Sequence, residues 1–228
     1  MPNANKTALL VGASGLVGGY CLEYLLAEPA YEKVIVLVRT SLLIKHPKLE
    51  QHVIEFDKLG EYQHLIKAEH IYCCLGTTVL KSPKKSDFLK VDFTYPVTVA
   101  KIAKANGASQ YSVISALSAD PKSLLFYSRV KGELENAIIA LGFNSVQIFR
   151  PSYLVGKRQE FRPIERMGVG VLKLLSPLLI GPLRKFRAID AKAVAYAMVK
   201  QSVAEQPGVN IWRSDNIPPT PLQRGNKQ

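Results

Sequence analysis

Cysteine is scarce in this 228-residue chain, which has only Cys21, Cys73 and Cys74. Two of the three are adjacent and cannot easily bridge each other without strain, so a disulfide framework is excluded. Cys73 and Cys74 fall in an apolar run and read as buried free thiols of a reducing compartment. Histidine is also sparse: four residues, none at metal-ligand spacing beside the cysteines, so no metal site is expected. No run reaches the roughly 20 apolar residues of a spanning helix. The nearest approach, GVGVLKLLSPLLIGPL over 168–183, is broken by Lys173, Pro177 and Pro182 and reads as a buried or pocket-lining segment rather than a transmembrane one. Arg184, Lys185 and Arg187 follow it, which leaves contact with a lipid surface as the lesser alternative. The opening MPNANKTALLVGASG lacks the layout of a signal peptide, its short apolar run reading as a strand. With no targeting signal visible, the expected location is the cytoplasm.

Acidic residues are in deficit, 18 against 30 lysines and arginines, for a net charge of +12. The densest basic stretches are KSPKK (81–85), KRQEFRPIER (157–166) and RKFR (184–187). Such charge can attract nucleic acid. No helix-turn-helix, zinc-finger or RNP-type pattern accompanies it, so nucleic-acid binding is not expected. Solvated faces and an anionic small molecule account for the charge more simply. The 47% hydrophobic and 21% charged fractions are those of a soluble globular protein long enough to bury a real core.

What the chain does contain is alternation. The runs TALLVG (7–12), VIVLVR (34–39), HVIEF (52–56), HIYCCLG (70–76), YSVISAL (111–117) and SVQIFR (145–150) read as strands, several nearly continuous in hydrophobicity, as parallel strands covered on both faces are. Between them lie helical patterns at 15–28, 95–107 and 127–142, with Gly107 and Gly142 at C-terminal stops. A helix at 190–203 capped by Asp190 and a short strand, VNIW, follow. This order predicts an α/β fold, a doubly wound, mostly parallel sheet with helices on both faces. No repeat or linker divides it. One Rossmann-type domain is expected over 1–213, with a substrate-covering segment near 152–190. The Pro-rich tail, 214–228, is expected to be loose or strapped on the surface.

The first strand runs into VGASGLVGG, where Gly12, Gly15 and Gly18 give G-x-x-G-x-x-G opening an amphipathic helix. The early glycines permit a tight turn and close approach of a phosphate, and the last lets helix pack on strand. The helix N-terminus adds partial positive charge beneath a pyrophosphate. A glycine pattern alone is weak, but strand before and helix after supply the context that a dinucleotide site requires. Gly12, Ala13, Ser14, Gly15, Leu16, Val17 and Gly18 are therefore cofactor-binding candidates. Arg39 ends the second strand, 21 residues past Gly18, where NAD-binding folds place an acid on the ribose hydroxyls. An arginine there suits a 2′-phosphate, so NADP is expected over NAD, with Ser14 and Thr40 as hydroxyl donors. Asp57 is expected at the end of the third strand to meet an adenine edge, and Leu75, Gly76 and Thr77 at the end of the fourth to let backbone pass close to the cofactor.

FYSRVKGELE (126–135) places Tyr127 four residues before Lys131, on one helical face. Chance often pairs tyrosine and lysine so, but a glycine loop and a strand-end serine, Ser115, accompany this pair. Together the glycine loop, Ser115 and the Tyr-x-x-x-Lys box resemble a short-chain dehydrogenase/reductase. The phrases VDFTYPVTVAKIAKANG and IFRPSYLVG are similar to its extended and atypical branches, and the small Tat-interacting-protein-like group is the nearest in layout. The resemblance implies that Pro151, Ser152, Tyr153 and Leu154 line the nicotinamide site. It also implies that the segment from Lys157 to Arg187 folds over the substrate. Apolar Val171, Leu172, Leu174, Leu175, Leu178 and Leu179 there suit a greasy pocket or lid and suit core packing equally. The family's asparagine on the preceding helix is not evident; Asp92 lies near that region.

The chemistry also stands on the residues. A free tyrosine has a pKa of about 10, and an ammonium one turn away stabilises its phenolate. Tyr127 then acts as general acid or base, Lys131 as its cation and as a partner for the nicotinamide ribose, and Ser115 as a second donor to a carbonyl oxygen, with Ser118 as its rival. The expected function is an NADP-dependent oxidoreductase acting on a small carbonyl or alcohol substrate, an apolar one if the 168–183 segment lines its pocket. A non-catalytic NADP-binding sensor or scaffold comes second, and a nucleotide-sugar epimerase or dehydratase third.

Overall fold

The computed structural model of the chain describes residues 6–77, 84–156, 186–218 and 220. Strands β1 (Lys6–Val11), β2 (Tyr31–Val38), β3 (Leu49–Val53), β4 (His70–Cys73), β5 (Gln110–Ile114) and β6 (Ser145–Arg150) are followed by the short β7 (Leu154–Val155) and β8 (Ile189–Asp190), then β9 (Gly208–Arg213). Seven of them form one sheet in the order β3-β2-β1-β4-β5-β6-β9, parallel at every pairing. The doubly wound parallel sheet foreseen from the alternating runs is therefore present. β7 and β8 pair in a separate parallel ribbon that brackets 157–185.

Among the described residues the helices are α1 (Leu16–Ala27), α2 (Lys85–Leu89), α3 (Tyr95–Ala105), α4 (Phe126–Ile139) and α5 (Ala191–Val203). Side chains alternate across a strand, so each buried strand feeds two cores. Leu9, Val11, Ile71 and Val113 pack with Val99 of α3 and Leu134 and Ile138 of α4. Ala8, Leu10, Val36 and Tyr72 pack on the other face with Leu22 and Leu25 of α1 and Val194 and Met198 of α5. Burial on both faces is why these strands read as unbroken apolar runs. α3 and α4 end near Gly107 (φ +90°) and Gly142 (φ +68°), conformations that cost glycine little. The Asp190 cap is formed, its carboxylate accepting from the backbone N–H of Lys192 at 2.8 Å.

The third strand differs from expectation: it spans 49–53, not 52–56. Among the described residues it is an edge strand paired only with β2, so its residues are half-buried and carry little hydrophobic signal. The apolar run that suggested it instead crosses the strand's end, where Ile54 and Phe56 tuck under the sheet's edge. At the opposite end of the sheet from the β1–α1 loop, a buried polar chain links Tyr72, Tyr31 and His70. Tyr31 Oη lies 2.6 Å from Tyr72 Oη and 2.7 Å from His70 Nδ1, and His70 Nε2 lies 2.9 Å from Glu205.

No helix among the described residues is long and apolar enough to cross a membrane. The apolar segment 168–183 with its leucines, the basic stretch 157–166, Arg184 and Lys185, most of KSPKK and the tail from 221 onward lie outside the described residues. The start of the tail is strapped down rather than loose. Ser214 Oγ donates to Ser152 Oγ at 2.9 Å, and Ile217 is buried in the core beside α5.

Candidate active site

β1 leads to β2 and β3 on one side, and the chain then crosses to β4, β5 and β6 on the other. The connections diverge above β1 and β4, and the carboxyl ends of the strands there bound a crevice. A cavity of about 1620 Å³ occupies it. That exceeds the roughly 300–1,000 Å³ of an ordinary small-molecule site and suits an elongated ligand with a second molecule at one end.

The glycine loop forms one wall. Gly12 has φ +86°, and a Cβ there would stand 2.6 Å from the carbonyl of Cys74. A Cβ on Gly18 would stand 2.0 Å from Gly12 O, so α1 seats directly on the loop. Gly15 caps α1, its N–H bonding Gly12 O at 3.0 Å; among the described residues no side chain caps the helix, and no acid lies in its first turn. The first N–H groups of α1 thus face the cavity without a side-chain competitor, which suits a pyrophosphate. Ala13, Ser14, Leu16 and Val17 line the same wall. Arg39 follows β2 directly, exposed at the rim and with no ion pair among the described residues.

Not every expected residue reaches the cavity. Thr40 is exposed beside Arg39 and Gly18 sits beneath the loop, neither lining it. Asp57 is displaced by the earlier end of β3 and lies in a short 3-10 turn, Phe56–Lys58. Its carboxylate accepts from Tyr95 Oη at 2.7 Å and pairs with Lys90 at 2.9 Å, and those contacts, Lys90 first, hold it below the usual aspartate range. Phe56 and Tyr95 line the cavity where Asp57 was expected. Leu75, Gly76 and Thr77, and Pro151, Ser152, Tyr153 and Leu154, all line it.

Tyr127 and Lys131 project from α4 into the same cavity, near the ends of β4 and β5. Lys131 is 3% exposed, and its Nζ lies 2.8 Å from Oδ1 of the fully buried Asp92. Asp92 sits in a π-helical turn, Lys90–Thr94, joining α2 to α3, and its Oδ2 accepts from Thr77 N–H at 2.8 Å. Burial pulls the Lys131 pKa down, but Asp92 and Tyr127 outweigh it and the ammonium is held above its ordinary value. Burial pushes Tyr127 up, Lys131 pulls it back, and Asp92 pushes it up again, for a net rise. Phe88 packs against the Tyr127 ring at 5.8 Å.

Ser115 lines the cavity floor, yet its hydroxyl donates to Glu135, whose carboxylate also takes Arg150 Nε at 2.9 and 3.2 Å. Its one proton is committed there, which leaves Ser115 an acceptor toward the cavity. Ser118 accepts from Ser128 Oγ at 3.0 Å and keeps its own proton at the exposed rim. Sequence reasoning overlooked Glu135 and Arg150, and left Asp92 without a role. Glu135 had a signal: it continues the Tyr127–Lys131 stripe by one further turn, on the buried face of α4. Among the described residues no cluster suits a metal ion.

No family model matches the chain. Among curated proteins, HTATIP2 from Rattus norvegicus is 35% identical over 165 residues, covering 71% of this chain and 68% of its own length. FMP52 from Candida albicans, named a mitochondrial protein, is 30% identical over 159 residues, covering 68% and 69%. Among solved structures, MoeE5 in complex with UDP-glucose and NAD superposes with a TM-score of 0.70 at 16% identity, covering 90% of this chain and 74% of that one. The likeness to MoeE5 is one of fold. The expected cytoplasmic location does not stand, because FMP52 relatives from several fungi are named mitochondrial.

Proposed function

The chain belongs to the family of HTATIP2 and FMP52, of the short-chain dehydrogenase/reductase type, and on that premise we propose that it is an NADP-dependent oxidoreductase of a carbonyl/alcohol pair. One observation carries this reading: the glycine cradle and the Tyr127–Lys131 pair open into a single cavity. MoeE5, which shares the fold, holds NAD in its structure. The choice of NADP rests on Arg39, a guanidinium free to fork onto a phosphate where an acid would otherwise hold ribose hydroxyls.

A bound nicotinamide supplies or accepts the hydride; the chain's residues do the rest. The first N–H groups of α1 would hold the pyrophosphate, with the glycines keeping side chains out of its way, and Pro151 to Leu154 would line the nicotinamide end. Tyr127 donates its phenolic proton to the carbonyl oxygen in reduction, and its phenolate takes one from the alcohol in the reverse direction. Ser118 supplies a second hydroxyl to that oxygen, while Ser115 anchors the cavity floor through Glu135. The Phe88 ring keeps Tyr127 in place and partly dry.

A non-catalytic NADP sensor is the second reading, favoured by Ser115 turning to Glu135 and Lys131 to Asp92. A panel of aldehydes and ketones with NADPH, Tyr127→Phe serving as blank, separates the two. Turnover that falls by about 10²–10⁴-fold in Tyr127→Phe, with NADPH affinity kept, supports the oxidoreductase. Tight NADPH binding without turnover across the panel supports the sensor.

A further inference from the structure

Asp92 and Lys131 form a closed pair in the driest part of the site. Asp92 is fully buried and Lys131 nearly so, with 2.8 Å between Nζ and Oδ1. The carboxylate cannot easily swing away, because its other oxygen is held by Thr77 N–H at 2.8 Å. Gly76 roofs the pair: a Cβ there would lie 3.5 Å from Oδ1 and 3.7 Å from Nζ. The π-turn at Lys90–Thr94 aims Asp92 inward, where one extra residue in the helical turn re-registers its side chain.

A lone ammonium beside a phenol draws out the proton by favouring phenolate. An ammonium already neutralised by a carboxylate presents Tyr127 with a dipole, whose field falls off faster than that of a single charge. We propose that Asp92 is a positioning residue that sets the charge of the site. By neutralising Lys131 it keeps Tyr127 protonated across neutral pH, so the site is ready to give a proton to a carbonyl oxygen and takes one from an alcohol only in alkaline solution. The proposal rests on Tyr127 being the acid/base of the function above.

In reduction, the carbonyl carbon receives the hydride with its two electrons from the reduced nicotinamide, the oxygen receives the Tyr127 proton, and water reprotonates the phenolate. Oxidation needs the phenolate beforehand. Among the described residues, the charged and titratable groups facing Tyr127 are Lys131 on its own helix and Asp92 from the π-turn. From β4, Cys73 faces Lys131, its thiol pushed up to about 11 by burial and therefore uncharged at neutral pH. Glu135 and Arg150 compensate each other one turn further along α4. The directions agree with the geometry: burial raises Tyr127, and the opposing pulls of Lys131 and Asp92 leave the rise in place.

The test is an NMR pH titration of protein labelled at the tyrosine Cζ, with the Tyr127 resonance assigned by its loss in Tyr127→Phe. Asp92→Asn, Lys131→Met and the double variant are compared with wild type. Asp92→Asn is expected to lower the Tyr127 midpoint by about 1–3 pH units, and Lys131→Met to raise it. The double variant, which removes the pair as a unit, should return to within about half a unit of wild type. An unchanged midpoint in Asp92→Asn, or a double variant that follows Lys131→Met, overturns the proposal. If Asp92→Asn fails to fold, the double variant decides alone, since it leaves no buried charge behind. The titration involves no turnover, so a failed substrate screen sinks the oxidoreductase reading without touching this result.

Discussion

Gly18→Ala adds one carbon at the place where α1 meets the glycine loop. That carbon would stand 2.0 Å from Gly12 O and 2.7 Å from Gly12 C. Both are backbone atoms, so no side chain can rotate aside. To restore even a 3.0 Å contact from 2.0 Å, the first turn of α1 must retreat by about 1 Å. Overpacking of this kind costs about 1–3 kcal/mol. Alanine inside a helix returns about 1 kcal/mol relative to glycine, so the net loss of stability is about 0–2 kcal/mol. For a chain of this length that is a fall in Tm of at most about 8 °C. The effect on the cofactor is larger. An N–H displaced by about 1 Å leaves the 2.7–3.2 Å range of a hydrogen bond. Each lost bond to a phosphate costs about 1.5–3 kcal/mol, or about 10–150-fold in Kd. Differential scanning fluorimetry and calorimetric titration with NADPH read the two effects separately. A folded Gly18→Ala protein that binds NADPH within about threefold of wild type would refute the assignment of this loop as the pyrophosphate cradle.

Three further outcomes follow from the same structure. Arg39→Ala should weaken NADPH by about 10–150-fold and leave NADH unchanged, since a charged hydrogen bond to the 2′-phosphate is worth about 1.5–3 kcal/mol; a wild type binding both cofactors equally well would defeat the argument. Glu135→Gln keeps shape but removes the charge that Arg150 grips. Because the Arg150 side chain is 19% exposed, the loss is set at about 1.5–3 kcal/mol, below the cost for a fully buried pair. Urea denaturation checks it, and a change under about 0.5 kcal/mol counts against the network. Burial lowers the His70 pKa from its ordinary 6.5, against the pull of Glu205, so the unfolded chain binds a proton more readily. Stability is therefore full above about pH 6.5 and falls as pH drops below it, and His70→Gln should flatten the slope between pH 6.5 and 5; an equal slope in that variant would assign the acid sensitivity elsewhere.

Parts of this molecule are written locally in its sequence. Gly12 and Gly18 are legible because a positive φ and a contact at backbone distance admit no other residue, whatever surrounds them. The parallel sheet is legible because strands covered on both faces need apolar side chains at every position, and β1, β2 and β4 are buried almost throughout. The Asp190 cap is a contact within two residues. Tyr127 and Lys131 share a face because the helix period is fixed. β3 is hard to place from sequence because an edge strand needs little hydrophobic signal, and its earlier end leaves Asp57 in a 3-10 turn away from the cavity. The proton of Ser115, the grip of Glu135 on Arg150 and the pairing of Asp92 with Lys131 join residues on different elements. The glycine turns, the apolar runs of the strands and the stripe of α4 are legible in the chain alone, because each depends on residues a few positions apart. Which buried charge faces which emerges on folding, because it depends on a helix and a turn 39 residues apart meeting where water cannot screen them.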